Sequence, residues 1–108
     1  MARNDLQGSL DLLVLKTLSQ RGRLHGYGIV AHIQRASDDL LQVEEGSIYP
    51  ALHRMEQSGW IRSEWSLTDT GRKAKYYKLT ASGGKQLQAA EEGFEQLVKG
   101  VRAMLRYA

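Results

Sequence analysis

The chain has a single proline, Pro50, and it sits inside a run that otherwise carries the spacing of a helix. Ile48, Ala51, Leu52 and Met55 fall at i, i+3, i+4 and i+7, which is one apolar stripe. A helix accepts proline readily only in its first turn, where the missing N–H would have no partner anyway. The helix is therefore expected to begin near Ser47, a good N-cap, with Gly46 opening the turn. It runs to about Ser58, where Gly59 stops it. Tyr49, His53, Arg54 and Gln57 lie off the stripe and offer an aromatic ring, a basic group and hydrogen-bonding side chains. A short helix entered sharply, with such groups on its free face, is how a recognition helix meets a DNA groove.

Around this helix the apolar periods place the other elements. Leu10, Leu13, Val14, Thr17 and Leu18 make a buried stripe on a first helix from Ser9 to Gln20. Ser9 can cap that helix and Asp11 suits its positive end. Leu12 and Leu15 lie off the stripe, so a second surface of this helix is expected to pack on something else. Gly22 can take the left-handed turn that ends it. His25 to Ala36 forms a second helix with Val30 and Ile33 inward, and Gly26 and Gly28 suggest a close backbone approach to a neighbour. Residues 37–43 form a loop. From Ile61 the period shortens to two: Ile61, Ser63 and Trp65 alternate with Arg62 and Glu64, and Tyr77 and Leu79 alternate with Tyr76 and Lys78. The polar, glycine-bearing segment Ser66–Arg72 between them makes a hairpin. Thr80 caps a final helix whose first turn is weakened by Gly83 and Gly84. Leu87, Ala90, Phe94, Leu97, Val101 and Met104 then hold a heptad spacing, widened by Val98 and Leu105.

The expected fold is mainly α (α+β): a winged helix-turn-helix with a two-stranded wing and a long C-terminal dimerisation helix. Residues 1–80 would be the winged helix-turn-helix domain and residues 81–108 the dimerisation helix. The heptad stripe exceeds what so small a domain can cover. Leu12, Leu15, Leu87, Phe94, Leu97, Val98, Val101, Met104 and Leu105 are therefore expected at a homodimer interface.

Composition limits the functional classes. With 108 residues, 42% of them hydrophobic and 25% charged, the chain suits one soluble globular domain. It holds no cysteine, which excludes disulfide and thiol chemistry and suits a reducing cytoplasm. No apolar run is long enough for a membrane span, and Met1–Asp5 leads into no signal-peptide pattern. A cytoplasmic protein is expected. His25, His32 and His53 have no metal-ligand spacing, no glycine-rich phosphate loop follows a strand, and no nucleophile–base pair is suggested. The expectation is of no enzyme, no cofactor and no metal. The net charge is +3, but its placement says more than its total. Residues 60–80 carry +3, through Arg62, Arg72, Lys73, Lys75 and Lys78 against Glu64 and Asp69. Residues 44–59 carry −2. The basic excess follows the recognition helix rather than lying on it.

Several segments carry a family resemblance. Leu12-Leu13-Val14-Leu15, His25-Gly26-Tyr27-Gly28, Gly46-Ser47-Ile48-Tyr49-Pro50-Ala51-Leu52, Gly59-Trp60-Ile61 and Lys75-Tyr76-Tyr77-Lys78-Leu79-Thr80 resemble the PadR family of bacterial transcriptional regulators. The match runs from residue 8 to about 87, in order and at family spacing. The Gly-Ser-Ile-Tyr-Pro and Tyr-Tyr-Lys-Leu-Thr segments are its specific part. The final helix is similar in type to the branch with a single short C-terminal arm. Trp60, where leucine is common, and Gly83-Gly84 depart from the pattern.

The resemblance implies a homodimeric repressor on double-stranded DNA, with the third helix in the major groove and the wing on the backbone or minor groove. Carried over, Ser47, Tyr49, Pro50, His53 and Arg54 would lie at the DNA, with Arg72, Lys73 and Lys75 as wing contacts. Arg54 could meet a guanine edge or a phosphate, or instead pair with Glu56 or a loop acid. Tyr49 could meet a phosphate or a thymine methyl, or instead pack on the wing. The Arg72, Lys73, Lys75 cluster is the electrostatic footprint. Tyr76 and Tyr77 fit hairpin packing better than base stacking. The resemblance also admits a small apolar or aromatic effector at the dimer interface, lined by Phe94 and Met104, although ordinary packing is the plainer account of both. Two readings from other classes stand beside it. One is a winged-helix module for protein–protein contact, favoured by Glu44, Glu45 and Glu56 near the recognition helix. The other is a small-molecule sensor without DNA binding.

Overall fold

The structure, a computed structural model, describes residues 2–108, and side-chain surroundings from residue 9 onward. Its elements are α1 (Ala2–Arg21), β1 (Leu24–His25), α2 (Gly26–Ala36), α3 (Glu45–Gln57), β2 (Ile61–Leu67), β3 (Lys73–Leu79) and α4 (Ala81–Arg106). The three strands form one antiparallel sheet in the order β1-β3-β2. This is a winged helix-turn-helix, mainly helical, and the hairpin β2–β3 is its wing. Met1, the first residue of the segment expected to lead into no signal-peptide pattern, lies outside the described residues.

Three boundaries differ from expectation. Helix α1 begins at Ala2 rather than Ser9, so Ser9 is an interior residue and Asp11 is not near a helix end. Gly8 is the poorest helix former of the added stretch, and its deficit of about 1 kcal/mol against alanine does not stop a helix anchored by its buried later turns. Helix α2 begins at Gly26. His25 is its cap, accepting a hydrogen bond at Nδ1 from the Gly28 N–H (3.0 Å). The backbone of Leu24 and of that cap pairs with the wing as β1, a strand absent from the expectation: Leu24 is opposite Tyr77 and His25 opposite Tyr76. Two residues are too short to show a period, so no pattern announced it. Helix α3 begins at Glu45, and Glu44 precedes it in extended conformation without a side-chain cap. Ser47 is therefore not the N-cap; its N–H bonds to the Glu44 carbonyl (2.9 Å) inside the first turn. Pro50 falls in the second turn. It has no N–H for the Gly46 carbonyl, but Gly46 and Pro50 are both exposed, so water can serve that oxygen.

The stop signals act as read. Gly59 takes φ +82°; its N–H bonds to the Glu56 carbonyl (3.0 Å), and the Trp60 N–H bonds to the Met55 carbonyl (3.1 Å). That pair of bonds is a Schellman end, which satisfies two otherwise orphaned carbonyls. Gly22 takes φ +76° after α1, and Thr80 caps α4 by accepting from the Gly83 N–H (3.0 Å).

The core lies where α1, α2, α3 and the wing base converge. Leu10, Val14, Leu15 and Leu18 of α1 meet Ile29, Ile33, Ile48, Ala51, Leu52, Met55, Ile61 and Tyr77 there, all buried. Two residues expected at a dimer interface belong to this core instead. Leu15 is 0% exposed and Leu87 is 8% exposed. Leu15 is buried because α1 is covered on more than one side by its own domain. Leu87 is buried because the first turns of α4 lie on the core before the helix leaves it. Gly83 permits that descent: a Cβ there would overlap the Trp60 carbonyl. The role of Gly83 is close packing, beyond the weakened first turn that its propensity suggests.

Past Leu87 the chain stops being compact. The radius of gyration is 15.1 Å and the extents are 59 × 28 × 22 Å, against about 13 Å expected for a compact chain of this size. Helix α4, 26 residues long, projects as an arm. Phe94, Leu97, Val101, Met104 and Leu105 are exposed along it. Among the described residues no helix is long and apolar enough to cross a membrane.

Candidate nucleic-acid interface

The position of α3 is set from both sides. On its α1 side, Arg54 forms a two-pronged ion pair with Asp11, Nη1 to Oδ2 at 2.6 Å and Nη2 to Oδ1 at 2.9 Å. These hydrogen bonds, more than the accompanying charge attraction, hold the guanidinium pKa above its already high ordinary value, against a lowering by partial burial. Asp11 thus does its electrostatic work in mid-helix, and Arg54 pairs with neither Glu56 nor a loop acid. On the wing side, Ser63 of β2 donates to Glu56 Oε2 (2.6 Å), and Lys75 of β3 lies 3.7 Å from Glu56 Oε1. One carboxylate of α3 therefore engages both wing strands. This ties up part of the Lys75 charge and gives Glu56 a structural reason to sit beside a basic wing.

The turn between α1 and α2 is pinned to the wing as well. The Arg23 guanidinium lies over the Tyr76 ring, 4.3 Å from its centroid, and 3.9 Å from Glu64. His25 packs on the same ring at 5.2 Å. Tyr76 is thus a packing residue, as expected, and so is Tyr77, which is 5% exposed. Burial, and then the negative charge of Glu56, push the Tyr77 phenol upward.

The strand register decides which wing residues look toward α3. Ser63 is opposite Tyr77, Trp65 opposite Lys75 and Leu67 opposite Lys73. Since Ser63 bonds to α3, its alternate neighbours Trp65 and Leu67 share that face, together with Lys73 and Lys75. The hairpin closes through Thr68–Arg72: the Thr68 N–H bonds to the Arg72 carbonyl (2.8 Å), and Gly71 takes φ +82°. The result is an open groove of about 820 Å³ between α3, the start of α2 and the wing. Tyr49, Arg72, Lys73 and Lys75 all line it.

Four of the eight expected DNA contacts are thus brought together. Pro50 and His53 are exposed on the adjoining face of α3, Ser47 is half-buried at its start, and Arg54 sits at the edge facing α1. Tyr49 is 54% exposed and held in place from below. A Cβ at Gly26 would lie 2.8 Å from its ring, so the close approach expected of Gly26 is to this tyrosine. The groove also contains Tyr27, Thr68, Thr70 and Trp65, which were not expected there. For Trp65 a signal existed: its alternation with Ile61 and Ser63 puts it on the α3 side but beyond the reach of the core.

A second groove, of about 780 Å³, runs between α1 and α4 and is mostly apolar. Leu12, Phe94, Leu97, Val98, Val101 and Leu105 line it. Those six of the nine expected interface residues form one surface; Met104, between Val101 and Leu105 in the helix, does not line it and is 75% exposed. Among the described residues no group of three or more His, Asp or Glu side chains gathers as a metal site would.

Comparison with known proteins agrees with this architecture. A transcriptional regulator from Clostridium thermocellum superposes with a TM-score of 0.86 at 27% identity, covering 95% of this chain and 99% of that one. A transcriptional regulator of Mycobacterium tuberculosis is 31% identical over 78 residues, 72% of this chain and 69% of its own length. The negative transcriptional regulator PadR of Bacillus subtilis is 29% identical over 70 residues, 65% of this chain but 38% of its own length. The model of the transcriptional regulator PadR-like family matches residues 14–89. That span includes α2, α3 and the whole wing, and the family is one of transcriptional regulators rather than enzymes. The chain belongs to the PadR-like family of transcriptional regulators.

Proposed function

We propose that this regulator is a cytoplasmic homodimeric repressor that reads a near-palindromic operator in double-stranded DNA. The observation that carries the reading is the shared groove, in which Tyr49 of the recognition helix faces Arg72, Lys73 and Lys75 of the wing. A duplex lying with α3 in its major groove passes one sugar–phosphate strand between α3 and the wing, where those cations meet it. Ser47, Tyr49, Pro50 and His53 face the base edges, and Arg54, held by Asp11, reaches a phosphate or a guanine with its remaining N–H groups. Residues 1–80 form the DNA-binding unit, and the arm within 81–108 joins two copies through the groove of Leu12, Phe94, Leu97, Val98, Val101 and Leu105. An arm with so much apolar surface in water favours pairing, because each apolar Å² removed from water contributes about 25 cal/mol. Two joined copies set their recognition helices about one turn of DNA apart, 34–36 Å. Bound over a promoter, such a dimer excludes polymerase. The name of the Bacillus subtilis relative, a negative regulator, supports that direction. A small apolar or aromatic effector that fits the joined arms in one arrangement better than another would shift DNA affinity.

An electrophoretic mobility shift against the gene's own upstream region, at several salt concentrations, tests this. The expected result is a shift that weakens steeply with salt and is stronger for the upstream fragment than for a scrambled one. No shift at low salt, or a shift blind to sequence, sinks the operator reading and leaves a protein–protein module or a ligand sensor.

A further inference from the structure

The wing carries a surface that electrostatics alone does not explain. Trp65 is 64% exposed and Leu67 is 65% exposed. Both lie on the wing face toward α3, opposite Lys75 and Lys73 respectively. An indole left in water is a poor use of the most apolar contact area a side chain offers, and β2 could bear a polar residue there at no loss to the core. Trp65 lines the same groove as Tyr49, Arg72 and Lys73. The groove wall is therefore apolar and cationic at once, with the two characters alternating across the strand pair.

We propose that Trp65, extended by Leu67, is a DNA-binding residue that packs on the deoxyribose carbons of the strand running between α3 and the wing. A sugar–phosphate strand offers the complementary alternation, apolar sugars between anionic phosphates. Arg72 and Lys73 hold the phosphates, and the indole covers the sugar between them with its N–H free to donate to a phosphate oxygen. Such a contact touches no base edge. It adds affinity for any duplex, and it carries no charge, so it releases no counterion. This inference rests on the DNA-binding reading above and assigns it a residue and a separable energetic signature.

The test uses the full chain and two 30-base-pair duplexes, the upstream fragment and a scrambled one, across a salt series. Trp65→Ala should weaken binding to both duplexes by about tenfold, the effect of uncovering roughly 60 Å² of apolar contact, and leave the slope of log K against log salt unchanged. Lys73→Ala should lower that slope by about one. Trp65→Phe should recover most of the affinity. In a Trp60→Phe background, where Trp65 is the sole tryptophan, its emission should change on adding either duplex. If the wild type binds but Trp65 emission is unmoved and Trp65→Ala binds within twofold, the inference is overturned while the DNA reading stands. If Trp65→Ala alters the sedimentation of the free protein instead of its DNA affinity, the indole is a contact between copies and the inference is again overturned. If the wild type binds neither duplex at low salt, both readings fail together.

Discussion

At the scale of single residues, the glycines separate packing from conformation. Gly59 was legible as a helix stop because its role needs only a positive φ, and that requirement is local to its own sequence position. Gly83 was not legible in the same way, because its role depends on the Trp60 carbonyl, 23 positions away in the chain. Glycines of the close-packed kind differ in turn by whether they meet backbone or a side chain. Gly83→Ala forces a methyl against backbone that cannot swing aside, and should lower stability by about 1–3 kcal/mol in denaturant titration. Gly26→Ala meets the ring of Tyr49, an exposed side chain that can move. It should change stability little and DNA affinity more, as the displaced ring leaves the groove. A large stability loss with normal DNA binding would show that Tyr49 is braced for packing alone. Tyr77 gives a pH signature. Its folded pKa is raised above the ordinary value of 10.0, chiefly by burial. The stability this contributes is complete below about pH 10 and is lost as pH rises through the folded value. Tyr77→Phe should therefore flatten the fall of stability above about pH 10, compared with wild type in parallel titrations.

At the scale of elements, periodicity read the faces well and the ends badly. The Ile48, Ala51, Leu52, Met55 stripe is buried as spaced, and Tyr49, His53 and Gln57 are exposed as spaced. The start of α3 was misplaced because proline at the first turn is a preference, and solvent can replace the lost bond at an exposed second turn. The wing was legible from its period of two, whereas β1 was not, since its pairing with β3 comes from tertiary contact alone. Helix α1 shows the limit of counting apolar faces. Leu12 and Leu15 both lie off the main stripe, yet Leu15 is 0% exposed in its own domain and Leu12 lines the groove beside α4. Leu15→Ala should thus destabilise the fold by about 2–5 kcal/mol, as a buried large-to-small change does. Leu12→Ala should leave the domain nearly as stable and weaken association instead, as read by sedimentation at decreasing concentration. Equal losses of stability from the two would contradict that division. The Glu56, Ser63, Lys75 cluster was invisible to sequence spacing because its members come from three elements. Glu56 had supported a rival reading, as an acid that would repel phosphate, yet it holds the wing to the helix.

At the scale of the whole molecule, the chain divides between a compact head and an arm. The family, the fold and the position of the wing were readable from short motifs, because turn glycines, capping threonine and paired periods are local signals. The role of the arm was readable only in outline, since its stripe leaves Phe94, Leu97, Val101, Met104 and Leu105 exposed while its first turns, including Leu87, are buried on the core. Leu97→Glu combined with Val101→Glu should give a folded monomer by analytical ultracentrifugation, with weak DNA affinity. A surviving dimer would move the interface elsewhere. The measurement that tests the central claim most directly is selection of bound sequences from a random duplex pool by the wild-type chain. A homodimer reading DNA with α3 and the wing should enrich a two-fold symmetric motif with half-sites one helical turn apart. Recovery of no motif, or of a single asymmetric half-site, would contradict it.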